Sequence, residues 1–257
     1  MQPLIEELVP RLPYAFLVML RVSVMMASLP APFGSGAPAQ VRLAVALVLT
    51  GALVAPTWES APHIAPEAVT LGRVGIVEAL IGAVIGLTIR VTLAAAEVAG
   101  NIAGLSMGQG FAATVDPNFG EQVLPPGRLF GSLAVLFFFA LNGHHVAIRA
   151  LGWSLVHVPV GSPFRDAVHA GILEIGTGLM AQGLRIASPI VGAMFIVQLG
   201  LGLVAKSAQK VQVFALSFAI MSAVGAAVLF ASLPAVGAAI GEVIGTLPSV
   251  LEQALGG

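Results

Sequence analysis

A few polar and ionisable side chains interrupt the long apolar runs of this chain, and they are its best candidates for chemistry. Those of the third apolar run are Glu78, Arg90, Glu97 and Asn101. A carboxylate at membrane depth can relay protons in a transporter, or it can form a structural pair with a base of this chain or of a neighbour. The spacings from Arg90 to Glu97 and on to Asn101 are seven and four residues, which place all three on one helical face. We expect this face to look into a helix bundle or a cavity rather than lipid.

The motifs of common enzymes are missing from the sequence. It has no GxSxG, HExxH or Walker-type loop, and its zero cysteines exclude thiolate metal sites and disulfides. The adjacent His144 and His145 would point about 100° apart on a helix, which makes them a poor chelate. We therefore predict no enzyme, no metal and no cofactor. The net charge of −1 argues against nucleic acid as a partner.

Composition predicts an all-α, multi-spanning membrane protein. The chain is 58% hydrophobic and 9% charged with a mean hydropathy of +0.99, whereas soluble domains have about 25% charged residues. Six apolar segments approach the ~20 residues that cross a bilayer, and a weaker amphipathic tail follows at 236–255. The segments are 12–29, 41–57, 74–104, 129–150, 174–205 and 211–233. Prolines lie in the first four loops between them, whereas Pro189 predicts a kink inside a long helix.

The segment Glu97–Pro117, EVAGNIAGLSMGQGFAATVDP, combines a small-residue helix face with an irregular end. Glycine recurs every four residues at Gly100, Gly104 and Gly108, a spacing that lets a second helix approach closely. After Gly108 the pattern breaks up and ends in the turn signal Asp116-Pro117. Non-helical backbone at membrane depth is tolerated only inside protein or beside a water-filled cavity, so the segment predicts a pore or gate. The tail repeats the packing spacing at Gly237, Gly241 and Gly245.

Met107 and Phe111 of this segment allow two interpretations. As bulky apolar groups they could project into a channel and seal it by dewetting. As ordinary packing residues, the methionine would fill an irregular gap and the phenylalanine would lie in a core. The two residues by themselves favour the packing interpretation.

Lys206 and Lys210 flank a short polar break between two long apolar runs. Their spacing across a hairpin tip would present two cations together, either as a solvated turn at the membrane edge or as a docking point for an acidic or polar partner. With six spans, eight of the 11 basic residues are divided four against four between the two sides of the membrane. The positive-inside rule therefore assigns no orientation.

Two blocks of sequence resemble the FliR family, and the likeness extends over nearly the whole chain. One is GxxMGxxFAxxVDP at 104–117, and the other is Asn142-Gly143-His144, with Val158-Pro159-Val160-Gly161 after it. This family is the R component of the bacterial flagellar type III export gate and is paralogous to the T component of virulence injectisomes. The ending Val115-Asp116-Pro117 is more similar to the flagellar branch.

The resemblance implies one helical export-gate domain over 1–257, in the bacterial inner membrane and the flagellar basal body. Its fold would consist of kinked helical hairpins, with 1–170 similar to the P component and 171–257 similar to the Q component. One such subunit would join several P and several Q copies, contact membrane lipid, and have helices lifted partly out of the bilayer plane. Unfolded flagellar proteins would pass through the assembly, with the energy supplied elsewhere.

The resemblance also implies a plug loop from Ser106 to about Gln122 and a hairpin tip at 205–210 that faces the cytoplasmic switch component of the gate. The plug residues are Ser106, Met107, Gly108, Gly110, Phe111, Thr114, Asp116 and Pro117. Among these, Met107 and Phe111 are expected to seal the pore. The tip departs from the family pattern, because Ala205-Lys206 and Gln209-Lys210 stand where Asn-Arg and Pro-Gln are usual. The basic character remains, but the prolines that set the turn do not.

The alternative function is a stand-alone proton-coupled solute transporter that uses Glu97. An inverted-repeat transporter would show matched, interrupted helices in its two halves, and the sequence has no such pair. An intramembrane enzyme is a third class, and it would need an essential His144 or His145.

Overall fold

The computed structural model describes residues 11–29, 38–58, 61–62, 64–65, 67–110, 123–162, 166–207 and 213–254. Within these ranges all regular structure is helical, which confirms the predicted all-α class. The helices are α1 (Leu12–Ser28), α2 (Ala39–Thr57), α3 (Ala68–Ser106), α4 (Pro125–Ala140), α5 (Gly143–His157), α6 (Asp166–Ser207), α7 (Val213–Gly245) and α8 (Leu247–Ala254).

Four stretches of the described chain are long and apolar enough to cross a membrane. They are α2, α3, Ala181–Val204 in α6, and Ala219–Leu251 in α7 and α8. The count becomes five if α4 and α5 form one span, broken between Ala140 and Gly143, where Asn142 is left-handed with φ 58°. The sequence predicted six. Helix α1, at 17 residues, is shorter than the ~20 residues that a span requires.

Prolines stand at helix starts and also inside three helices. Helices α1 and α4 have proline in their first positions, where the missing N–H would have no helical partner. Helix α6 continues across Pro189, so the long helix expected there is present. Helix α7 likewise continues across Pro234 to Gly245, where the sequence suggested an end near residue 233. The apolar, alanine-rich sequence on both sides of Pro234 continues the helix despite the lost hydrogen bond.

The chain divides into two compact units, each built from separate stretches of sequence. Unit one comprises Met1–Val91, Asn142–Gly176 and Thr246–Gly257, and unit two comprises Thr92–Leu141 and Thr177–Gly245. The division at residue 170 given in the sequence analysis is of another kind, because it separates a part similar to the P component from a part similar to the Q component. That division stays a prediction.

Unit one is organised around α1, which packs closely on α3 through two glycines. A Cβ at Gly82 would overlap the carbonyl oxygen of Arg21, and a Cβ at Gly86 would lie 2.6 Å from the carbonyl oxygen of Met25. Backbone can approach backbone here because neither position has a side chain. On another side of α1, the Tyr14 hydroxyl donates a 2.8 Å hydrogen bond to Oγ1 of Thr57 in α2.

Unit two uses the same device at the end of α3. A Cβ at Gly100 would overlap the carbonyl oxygen of Pro126 at the start of α4. Gly183 of α6 also approaches α3, since its Cβ would lie 3.2 Å from the carbonyl oxygen of Ala95. Helix α7 meets α4 at Gly237, whose Cβ would lie 3.1 Å from the Phe137 ring.

Replacing Gly82 with alanine is expected to destabilise unit one. The new methyl group would overlap α1 backbone rather than a flexible side chain, so the helices must separate, at a cost of about 1–3 kcal/mol. Unfolding in detergent by denaturant measures this cost. Gly72→Ala is the matched control on the same helix, because no described atom lies within 4 Å of its Cβ position. Equal unfolding midpoints for the two variants would contradict the close α1–α3 contact.

Candidate functional site

Helix α3 ends at Ser106, at the start of the segment for which a plug is predicted. The N–H of Gln109 donates to the carbonyl of Gly104 at 3.1 Å, and the N–H of Gly108 donates to the carbonyl of Leu105 at 3.0 Å. These two bonds form a Schellman motif, which closes a helix through a left-handed residue. Gly108 is that residue, with φ 79°, a conformation that glycine adopts without a Cβ penalty. The helix therefore ends where the regular glycine spacing ends.

The last residues of α3 are held from two sides in unit two. The side chain of Met107 is 2% exposed and lies against Gly225 of α7, where a Cβ would come within 2.6 Å of the methionine Cγ. Nε2 of Gln198 in α6 donates a 2.7 Å hydrogen bond to the carbonyl oxygen of Ser106. The described start of the predicted plug is thus packed within the subunit itself.

The predicted plug residues fall partly inside the described chain. Ser106 donates its hydroxyl to the carbonyl of Ala103 at 2.6 Å, and a Cβ at Gly110 would lie 2.8 Å from Leu105 Cδ2. The plug residues that lie outside the described residues are Phe111, Thr114, Asp116 and Pro117. Sealing by Met107 and Phe111 stays a prediction. In this conformation Met107 offers no free surface to a channel, because its own subunit surrounds it.

The polar face predicted on α3 contributes to packing at its C-terminal end. Oδ1 of Asn101 accepts a 2.9 Å hydrogen bond from the N–H of Leu124, the residue that precedes α4. Glu97 is half-buried, and a Cβ at Gly131 of α4 would lie 3.6 Å from its Oε2. This part of the face therefore lies against α4. Arg90 is exposed and forms no hydrogen bond or ion pair with any described residue.

The packing glycines differ in how closely their neighbours approach. One turn after Gly100 on α3, a Cβ at Gly104 would lie 2.9 Å from Leu124 Cδ1. In α7 the approach loosens along the helix, from Gly237 to Gly241, whose Cβ would lie 3.8 Å from Leu141 Cδ1. At Gly245 no described atom lies within 4 Å of the Cβ position.

A buried charge pair joins three helices of unit one. Nε and Nη2 of Arg21 in α1 lie 2.7 and 2.6 Å from Oε2 of Glu78 in α3, and both side chains are 0% exposed. Nη1 of Arg21 donates to the Ser154 hydroxyl of α5 at 3.0 Å, and Nη2 also donates to the carbonyl of Val158 at 3.0 Å. The other carboxylate oxygen of Glu78 accepts the N–H of Gly161 at 3.3 Å.

This network of hydrogen bonds has a structural role, because it holds the helices together. Each nitrogen of the guanidinium group has a partner, and both carboxylate oxygens accept hydrogen bonds. A buried ion pair gains little net stability, but removing one partner leaves a buried charge that nothing compensates. The sequence indicated Glu78 as an intramembrane polar residue and missed Arg21 and Ser154. Arg21 is the one charge within 12–29, which was the available signal.

Two further polar sites lie away from these regions. Arg185 of α6 forms an ion pair of 2.9 Å with Glu242 of α7, and their side chains are 68% and 57% exposed. Lys206, at the end of α6, is exposed, whereas Lys210 lies outside the described residues. Within the described part of the chain, no group of three His, Cys, Asp or Glu side chains could hold a metal ion.

The long apolar helices and the buried pair of Arg21 and Glu78 are features of a helical membrane protein. The helix end at Gly108 is its most distinctive local feature. A family model described as bacterial export proteins, family 1, matches residues 12–247. The chain therefore belongs to this family of bacterial export proteins.

Three curated relatives are similar to this chain over two thirds of its length or more. The chain is 28% identical over 216 residues to the flagellar biosynthetic protein FliR of Escherichia coli, covering 83% of this chain and 81% of that protein. It is 23% identical over 223 residues to the protein of that name in Bacillus subtilis, covering 85% of each. It is also 30% identical over 177 residues to the Yop proteins translocation protein T of Yersinia pestis, covering 67% of each.

Replacing Glu78 with glutamine is expected to destabilise unit one by about 3–5 kcal/mol, because the buried Arg21 would lose its counter-charge. The free energy of unfolding in detergent measures the loss. Glu67→Gln removes an exposed carboxylate near the start of the same helix and is the matched control, with little expected change. A Glu78→Gln protein as stable as the control would show that the pair does not organise this unit.

Proposed function

We propose that this chain is a structural subunit of the flagellar type III protein export gate in the bacterial inner membrane. The observation that carries the proposal is the family match, which extends from residue 12 to residue 247 and includes FliR proteins among the relatives. The candidate spans of α2, α3, α6 and α7 suit a membrane-embedded gate. In this proposal the subunit belongs to the flagellar basal body and is needed for flagellum assembly.

The subunit would work by forming part of a pore. It would join several copies of the P component and several of the Q component, one R subunit to each assembly. Unfolded flagellar proteins would cross through the pore passively at this subunit. The exposed apolar surface of α2, where Leu47 and Val48 are 52% and 72% exposed, suits contact with lipid or with a neighbouring subunit.

The plug is the second part of the proposal. The segment from Ser106 to about Gln122 would close the pore between export events. Phe111 would be its sealing side chain, and Met107, which is buried in its own subunit, would fix the start of the segment. The helix stop at Gly108 supports this role, since it releases the chain from α3 at the start of that segment. The exposed Lys206, with Lys210, would face the switch component.

No observation favours the alternative of a stand-alone transporter. Glu97, which such a transporter would use as its proton carrier, is half-buried beside Gly131 at the contact between α3 and α4. A carboxylate in that position suits helix packing within a larger assembly. Proton transfer would require a water-accessible path to it.

Deleting residues 106–120 is expected to make the inner membrane permeable to ions and small solutes while the gate still assembles. The physical reason is that the pore would remain and its closing segment would not. Uptake of a small dye by cells measures the leak, and copurification of the gate components measures assembly. If the assembled deletion variant is as tight as the unaltered chain, the plug assignment is wrong.

A further inference from the structure

The last turn of α3 is fixed by two neighbouring helices of unit two, which form a clamp consisting of Gln198, Met221 and Gly225. Gln198 belongs to α6 and bonds the Ser106 carbonyl at 2.7 Å. Gly225 belongs to α7 and accommodates the buried Met107 side chain. Met221, one turn before Gly225, reaches Gly108, where a Cβ would lie 3.2 Å from the methionine methyl group. Three consecutive residues of the plug start are thus each contacted by α6 or α7.

The hydrogen bond from Gln198 satisfies a group that the helix leaves without a partner. The last four carbonyls of any α-helix lack an intrahelical donor, and the carbonyl of Ser106 is one of them. Gln198 lies within the candidate span Ala181–Val204, and its side chain is exposed at the surface of the described chain. Breaking the bond leaves the carbonyl without this partner, so the bond favours one position of the helix end.

The contact at Gly225 is specific for glycine. A Cβ at this position would lie 2.6 Å from Cγ, 2.8 Å from Cε and 3.2 Å from Cβ of Met107. A methyl group would therefore meet the root of the methionine side chain as well as its tip. Rotation of the tip would not relieve this overlap, so Met107 and the backbone at Gly108 would have to move away from α7.

We propose that Gln198 and Gly225 are positioning residues of the gate, which hold Ser106–Gly108 in place and so keep the pore closed. The inference rests on the proposed plug function and adds the control of its position by α6 and α7. Gln198 lies nine residues before the end of α6 at Ser207, a distance of about 13 Å along the helix. A partner that shifts this end of α6 would therefore move the donor away from the Ser106 carbonyl and release the plug.

The experiment uses Gln198→Leu and Gly225→Ala in the full chain, expressed in cells with the complete export gate. Leucine removes the donor, and alanine displaces Met107. Because loss of one hydrogen bond changes an equilibrium by a factor of about five, Gln198→Leu should admit a small dye about fivefold faster than the unaltered chain. Gly225→Ala should also admit the dye faster, because the new methyl group displaces Met107. The amount of assembled gate is measured by copurification and used to normalise the rate.

Two matched controls separate clamp loss from general disturbance. Gln182→Leu makes the same change on α6, at a residue with no hydrogen bond to another described residue. Gly241→Ala makes the same change on α7, where the nearest atom is 3.8 Å from the Cβ position. Both controls should leave dye entry unchanged.

The outcomes distinguish this inference from the plug proposal. Leakage in Gln198→Leu and Gly225→Ala, together with tight controls, supports the clamp. If the 106–120 deletion leaks while Gln198→Leu and Gly225→Ala remain tight, the clamp is refuted and the plug stands. If the deletion itself is tight, the plug proposal fails, and the clamp fails with it. Equal leakage of clamp and control variants also overturns the inference.

Discussion

The buried pair of Arg21 and Glu78 is the constraint on which unit one depends. An arginine without solvent access must have its charge and all its donors satisfied, and here α3, α5 and the Val158 carbonyl together provide those partners. The glycine contact at Gly82 allows α1 to approach α3 closely enough for that pairing. Charge and backbone contact therefore specify the same arrangement of helices. An alternative packing of α1 would bury a charge without compensation.

Unit two is organised by helix ends and small residues, without a buried ion pair among its described side chains. Asn101 accepts the N–H of the residue that precedes α4, and Gly100 lets the same region of α4 approach α3. Gly108 then ends α3, and Gln198 bonds the carbonyl that this ending leaves open. Each of these interactions is of modest strength. A gate needs such a region, because a segment that moves aside must be held by contacts that can be broken.

The sequence was sufficient to predict features that depend on local pattern. Apolar runs predicted the helices, and the glycine spacing predicted the close contact at Gly100 and the end of the regular helix near Gly108. Features that depend on distant partners were missed. Arg21 and Glu78 lie 57 residues apart, and no spacing rule connects them. The same holds for Gln198 and Ser106, which are 92 residues apart. The end of α7 was misjudged, because Pro234 does not end it. The segment 12–29 was counted as a span, although the helix found there, α1, has 17 residues.

The two units together suggest a division of roles within a gate subunit. The charge pair gives unit one a fixed arrangement, which suits a scaffold inside a larger assembly. The weaker contacts around Ser106–Gly108 suit a part that must respond to its neighbours. This account requires that the chain work with other subunits and not alone, since the proposed plug would have no function without a pore.

The composition of the purified complex tests that requirement most directly. The chain, tagged and expressed with the other gate components, is extracted in mild detergent, and the mass of the intact complex is measured. The account predicts one copy of this chain with several copies each of the P and Q components. A stable solitary monomer with no copurifying components would contradict it.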